Sequence, residues 1–332
     1  MNFLITVFIA IMLMLSMNVS GQRIRFNNPI AEKRADPWVY KTDDGMYYLI
    51  ATVPEYDRIV IRKAPTINDL GAAKEKIVWN KHAIGNLAAN IWAPELHKID
   101  GVWYIYFAAG TSEDAFDIRM WVLSNGSASA MEGEWKEEGR IVTKMESFSL
   151  DATVFEHKGK RYLLWAQNVF EEGHGTGLVL SEMKSPTELM GPEVIITKPD
   201  FNWEKVKYHV NEGPAVLMKN GKIFVTYSAS ATNHNYCVGL LWIDESEDIL
   251  DVSNWHKSPG PVFYTNADFM RFGPGHNCFT TSQHGETVMI YHARDYKEIQ
   301  GHELDDPNRA TRARAVKWTP SGFPDFMQKI GD

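Results

Sequence analysis

Three carboxylic acids stand at comparable places along this 332-residue chain. Asp36 lies in ADPWVY, Asp151 in SLDATVFEH and Glu212 in HVNEGPAV, each eight or nine residues ahead of a turn glycine (Gly45, Gly159, Gly221). Two further segments repeat the spacing, with Trp92 ahead of Gly101 and His276 ahead of Gly285. One acid at a strand start is common, and its ordinary use is to cap a turn or pair with a buried Arg. Three at equivalent places suit hydrolysis of a glycosidic bond. One acid protonates the leaving oxygen, one activates water or attacks, and the third tunes their charge. Glu212 has apolar neighbours and the longer side chain, so desolvation would raise its pKa and make it the proton donor. Asp36 is the expected base, and Asp151 is expected to stay ionised beside a protonated Glu212.

The five turn glycines recur about sixty residues apart, and a β-rich apolar run follows each, as in MYYLIATV, VWYIYFAA, RYLLWAQ, KIFVTYSAS and TVMIYHA. No sustained helical period competes with them. A unit of this length holds four strands, and radial repetition of such units is the pattern of a propeller. The expectation is an all-β, five-bladed β-propeller with four-stranded blades, filling residues 22–332 as a single domain. Its first strands would line the axis and carry Asp36, Trp92, Asp151, Glu212 and His276 to one mouth of it. A sandwich or a β-helix fits a sixty-residue repeat less well.

Composition narrows the function classes. The chain carries 34 basic and 42 acidic residues for a net charge of −8, and no Lys/Arg-rich run, which disfavours nucleic acid and anionic membranes as partners. It holds 11 Trp, 13 Tyr and 16 Phe, a load suited to stacking on sugar rings. Two cysteines, Cys237 and Cys278, exclude a disulfide scaffold or a zinc cluster, and both are expected as buried free thiols. The apolar stretch from Phe3 to Leu15, closing with Val19 and Gly21 at the −3 and −1 positions, reads as a signal peptide over residues 1–21. An uncleaved anchor is the alternative. The expected location is therefore secreted or periplasmic, with no membrane attachment after cleavage.

Taken together and in order, ADPWV, IWAPELH, SLDATVFEH, VNEGPAVL and GPGHN resemble glycoside hydrolase family 43, whose members are inverting five-bladed propeller enzymes acting on arabinose and xylose polymers. The likeness runs from about Asn28 to Pro324. It implies Asp36 as general base, Glu212 as general acid and Asp151 as the group that orients the acid and modulates its pKa. It also implies that His276 helps hold a hydrated metal ion, commonly calcium, or a water cluster. The stretches KIFVTYSASAT, NYCVGLL, KSPGPVF and GPGHNCFT are similar to the arabinofuranosidase branch, including exo-acting enzymes on α-1,5-linked arabinan. The implied activity is removal of terminal α-L-arabinofuranose from arabinan or arabinoxylan oligosaccharides. A β-xylosidase or an endo-arabinanase of the same family, and a propeller that binds glycans without cleaving them, are the alternatives. A phosphorylase would need basic residues near the acids.

Several side chains carry weaker expectations. Trp92 is a sugar platform or a core tryptophan. Gln167 and Asn168, at the end of the RYLLWAQN strand, and Arg294 in IYHAR are candidate substrate-binding residues. Glu95 and His97 read as a buried hydrogen-bonded pair rather than metal ligands. GHGTG at 173–177 reads as a surface loop near the pocket rim, and Arg309, Arg312 and Arg314 as an exposed strand face. The sequon at Asn125-Gly-Ser127 matters if the source glycosylates.

Overall fold

The computed structural model describes residues 25–326 apart from 172 and 174, so the signal-peptide expectation lies outside the described residues. Strands and short 3-10 turns make up the described chain. The first sheet is β1 (Ala35–Lys41), β2 (Tyr47–Thr52), β3 (Arg58–Ala64) and β4 (Lys76–Asn80). The second is β5 (Ala89–Ile99), β6 (Val102–Gly110), β7 (Arg119–Asn125) and β8 (Lys136–Arg140). The third runs β9 (Ser149–His157), β10 (Lys160–Gln167) and β11 (Gly175–Ser185), with β12 (Glu188–Leu189) and β13 (Val194–Thr197) both pairing on β11. The fourth is β14 (His209–Lys219), β15 (Lys222–Ala229), β16 (Cys237–Asp244) and β17 (His256–Lys257). The fifth has β18 (Phe272–Thr281), β19 (Thr287–Arg294) and β20 (Ala310–Ala315), and a small hairpin of β21 (Lys317–Trp318) and β22 (Pro324–Asp325) follows.

The apolar runs that marked the repeat are the second strands. In β2, β10, β15 and β19 nearly every residue is buried, whichever face its side chain takes. A strand covered on both sides has no reason to alternate, which is why these segments read as continuous apolar runs. The fourth strands, such as β4 and β8, are mostly exposed and correspondingly polar.

Apolar clusters fill the spaces between consecutive sheets. Tyr48, Ile61, Leu96 and Ile105 join the first to the second, and Tyr106, Val122, Leu163 and Trp165 the second to the third. Leu164, Leu180, Val225 and Leu241 join the third to the fourth, and Phe224, Val238, Met289 and Tyr291 the fourth to the fifth. A further cluster joins the fifth sheet to the first, through Ile290, Val288 and Cys278 against Val39, Tyr47 and Leu49. The inner strands also follow one another, β5 against β1 and β9, β14 against β9 and β18, and β18 back against β1. The fifth sheet differs from the expected four strands. Its outer edge is covered by the start of the described chain, where Ile30 and Ala31 exchange backbone hydrogen bonds with Thr311. The Asn28 side chain adds bonds to both the carbonyl and the amide of Ala313.

Each inner strand is broken near its start by a residue at positive φ: Asp36 (51°), Ala93 (45°), Asp151 (58°), Gly213 (53°) and His276 (44°). The ladder slips register at each of these places. Bulges of this kind bend a strand and re-aim its side chains, and a non-glycine backbone held in such a region costs about 1–3 kcal/mol per residue. The bulge residues align one place later than the spacing suggested in the second and fourth sheets, at Ala93 and Gly213 rather than Trp92 and Glu212. Turn length explains the slip. In the second, third and fourth sheets two-residue turns close the first hairpin, with both residues at positive φ (Asp100-Gly101, Lys158-Gly159, Asn220-Gly221). Longer turns, Thr42 to Gly45 and Ser282 to Gly285, do so in the first and fifth.

Candidate active site

Asp36, Asp151, Glu212, Trp92 and His276 all line one cavity of about 690 Å³, so the five strand-start residues do converge. The bulges place them there. Gly213 shows why the fourth strand needs a glycine after its acid: a Cβ at that residue would lie 3.0 Å from the His276 ring. The bare backbone also lets the Gly213 amide donate to Asp151 Oδ2 at 2.9 Å.

Asp36 is surrounded by cationic and imidazole groups. Arg309 Nη1 donates to its Oδ1 at 3.1 Å, and Nδ1 of both His276 and His292 lies 3.3 Å from the same oxygen. The Asp36 amide donates to His292 Nδ1 at 3.0 Å, so that nitrogen presents a lone pair and cannot also donate to the carboxylate. Burial holds His292 neutral, with its pKa pushed down to about 3. Burial by itself would raise Asp36, but the Arg309 charge, with His276 behind it, outweighs this and holds the carboxyl well below the usual range.

Glu212 behaves in the opposite way. Burial raises it, the Tyr236 hydroxyl opposes by donating to Oε1 at 2.8 Å, and the Asp36 charge adds to the rise; the balance is about 7. One cavity thus contains an ionised carboxylate and a carboxylic acid that keeps its proton near neutrality. Asp151 departs from expectation. It is buried, and with Glu212 and Asp36 close by its carboxyl is pushed well above the usual range. Two acids that interact this strongly titrate as a pair and share protons.

The remaining candidates divide. Trp92 lines the cavity, its ring edge-on to Tyr56 and Phe116 at 5.8 and 5.9 Å. Asn168 lines it as well, with its side-chain Oδ1 accepting the Phe170 amide. Gln167 and Arg294, expected to bind substrate, do not line the cavity. Gln167 is fully buried and bonds Trp165, Thr143 and Ser147. Arg294 is buried on Asp306 and on the carbonyls of Thr232 and Glu303, so it ties down the β19–β20 connection.

Other expectations change with burial. Arg309 and Arg314 are buried, not exposed; Arg309 lies immediately before β20 and donates to Asp36. Arg314 instead lies over the Phe263 ring at 4.8 Å. The charge pattern by itself carries no signal for the Arg309 contact, because Arg309 precedes the strand and its partner lies 273 positions away. Tyr236, on Glu212, had no signal beyond its place in NYCVGLL. Residues 175–177 belong to β11 and are buried, because a Cβ at Gly175 or Gly177 would meet the carbonyl of His209 or Thr197 at 2.5 or 2.6 Å. Asn125 is buried with its amide donating to the Glu132 carbonyl, which closes that sequon to glycosylation. Glu95 and His97 are the expected buried pair at 2.9 Å, and Cys237 and Cys278 are free and buried.

His276 bears on the metal. Among the described residues no three His, Cys, Asp or Glu side chains converge on a point where an ion could sit. The carboxylate nearest His276 is already matched by the Arg309 charge. This donor set does not fit an ion ligated by protein side chains alone.

The sequence profile of glycosyl hydrolases family 43 matches residues 26–324. The chain is 50% identical to an extracellular exo-α-(1→5)-L-arabinofuranosidase of Streptomyces avermitilis over 93% of its own length, and spans 64% of that relative. It is 51% identical to a protein of the same name from Streptomyces chartreusis, covering 83% of this chain and 84% of the relative. The crystal structure of an α-L-arabinofuranosidase from Lactobacillus brevis superimposes with a TM-score of 0.89 at 43% identity, covering 92% of this chain and 97% of that one. With the profile spanning the five sheets and every motif that carries the acids, the chain belongs to glycosyl hydrolases family 43.

Proposed function

We propose that the protein is an exported exo-α-L-arabinofuranosidase, a five-bladed propeller that removes terminal α-L-arabinofuranose from arabinan or arabinoxylan oligosaccharides with inversion. The observation that carries the chemistry is the opposite displacement of two carboxyls in one cavity, Asp36 downward and Glu212 up to about 7. The apolar cluster between the fifth and first sheets supports closure of the five sheets into a ring. The names and near-half identity of the two Streptomyces relatives support the sugar, the exo mode and export.

In this reading Glu212 transfers its proton to the glycosidic oxygen as the bond to the anomeric carbon breaks. Water attacks the opposite face and gives its proton to Asp36, which the Arg309 charge keeps ionised. Asp151 holds the Gly213 backbone beside the acid and shares its titration. Trp92 and Asn168 face the sugar. A glycan-binding protein without turnover has no use for two carboxyls held in opposite charge states.

The test is to assay the mature chain on nitrophenyl α-L-arabinofuranoside, nitrophenyl β-D-xyloside and linear α-1,5-arabino-oligosaccharides side by side, with the Glu212→Gln variant alongside. Expected are release of single arabinose units from chain ends, as the β-anomer by NMR, and loss of about 10²–10⁴-fold in turnover of the oligosaccharides by the variant. Xylose release would overturn the sugar. Internal cleavage would overturn the exo mode, and binding without turnover the enzyme reading.

A further inference from the structure

We propose that Tyr236 is the positioning residue of the proton donor: its hydroxyl occupies Oε1 of Glu212, so that the transferable proton sits on Oε2, the oxygen offered to the leaving group. The inference rests on the reading of Glu212 as the acid. A carboxylic acid has two oxygens, and a donor that can reach the leaving group from only one of them loses driving force whenever the proton is on the other. An O–H that always donates to one oxygen removes that ambiguity.

The surroundings make Tyr236 such a donor. Its hydroxyl lies 2.8 Å from Glu212 Oε1, and burial, followed by the neighbouring Glu212, pushes the phenol well above its ordinary range, so it keeps its proton. The ring lies parallel to His292, with interplanar angle 4° and centroids 5.6 Å apart. His292 in turn accepts the amide of Asp36, so one stacked pair fixes a contact to each of the two carboxyl residues.

The GPGHN motif is cut to fit this ring. A Cβ at Gly275 would lie 2.4 Å from Cδ1 and Cε1 of Tyr236. A Cβ at Gly273, where φ is +60°, would lie 2.1 Å from the Asn233 carbonyl, to which the Tyr236 amide donates at 3.1 Å. The turn itself is pinned by the Asn235 amide on the Asn233 side chain. Two glycines on the fifth sheet therefore exist for a tyrosine that serves an acid on the fourth.

The reacting proton leaves Oε2 for the glycosidic oxygen, the C–O bonding pair goes with it, and the carboxylate that forms keeps the Tyr236 hydrogen bond. The hydroxyl also stabilises the ionised product of that transfer, which makes Glu212 the stronger acid when the leaving group is a poor one.

The experiment compares wild type, Tyr236→Phe and Glu212→Gln. It measures kcat and KM against pH on linear arabino-oligosaccharides, which need protonation of the leaving sugar, and on a dinitrophenyl arabinofuranoside, which does not. Tyr236→Phe keeps the ring and its stacking. Its alkaline limb is expected to rise by about one to two pH units, because the ionised form of Glu212 has lost a donor. Its kcat on the oligosaccharides should fall about 10–100-fold, with dinitrophenyl turnover, KM and the acid limb unchanged. An unmoved alkaline limb, or equal loss on both substrates, overturns the proposal and leaves Tyr236 a packing residue. Retention of oligosaccharide turnover by Glu212→Gln would instead overturn the reading of the acid. A melting temperature for each variant separates these outcomes from misfolding, and Gly275→Ala, which displaces the ring together with its stack on His292, should move the acid limb as well as the alkaline one.

Discussion

Arg309 determines what Asp36 can do. A buried carboxylate with no partner would take up a proton, and Asp36 is kept from this by a guanidinium contact at 3.1 Å with the His276 imidazole behind it. Arg309→Met should therefore let the Asp36 pKa rise, moving the acid limb of kcat/KM upward by about 1–3 pH units. The pH profile checks this, and an acid limb left in place would show that Arg309 does not govern the base. The same variant leaves a buried carboxyl without its counter-charge, so stability at neutral pH should drop by about 3–5 kcal/mol. The sign follows from linkage. A carboxyl with depressed native pKa stabilises the fold above its unfolded pKa, and this contribution disappears as pH falls through the native value. Without Arg309 that contribution is missing and the drop should shrink at acid pH.

At the level of the strand, the five bulges are the device that turns an inner strand into a site. Each holds one residue at positive φ just where the side chains must face the cavity, and the fourth sheet alone uses glycine there. The reason is local crowding: the His276 ring leaves 3.0 Å for a Cβ on Gly213. Gly213→Ala should cost about 1–3 kcal/mol from backbone strain, and more if the His276 ring must move. Activity should fall with it, because the amide that holds Asp151 and the chain that carries Glu212 shift together. Denaturant midpoints and kcat on the same preparation check this; an alanine tolerated in both would show that the fourth bulge relaxes freely.

For the whole molecule the raised carboxyl of Glu212 is a stability cost. Glu212 titrates in an unfolded chain near 4.5 and in the native one near 7, so the native state binds more protons between these values. Stability contributed by this group is then lost as pH rises from about 4.5 to about 7, and stays lost above it. Glu212→Gln removes that loss. The variant should match wild type below about pH 4.5 and exceed it above neutrality, by on the order of 3 kcal/mol at most. Thermal midpoints across pH measure the difference, and a constant offset at every pH would contradict the assignment. Such a gain on removing a functional group is the usual form of the trade between activity and stability.

The repeat, the all-β class, the continuous apolar second strands and the three acids were legible in the sequence because each depends on neighbours a few residues away: turn glycines, strand period and the order of residues about a bulge. The one-place slip at Trp92 and Glu212 arose because two turn lengths look alike until the hairpins are seen. What the tertiary structure decided depends on groups far apart in the chain. Arg309 reaches Asp36 across 273 positions, and Tyr236 fits against Gly275 on another sheet. The state of Asp151 follows from burial and from the Glu212 and Asp36 carboxyls beside it, none of which its own segment encodes. Gln167, Arg294 and Asn125 are polar residues whose type suggested exposure to sugar or solvent, yet all three are buried and hydrogen-bonded within the protein. Residue types and spacing specify which groups a chain brings to a site; their charge, partners and access to solvent are set by what the fold packs around them.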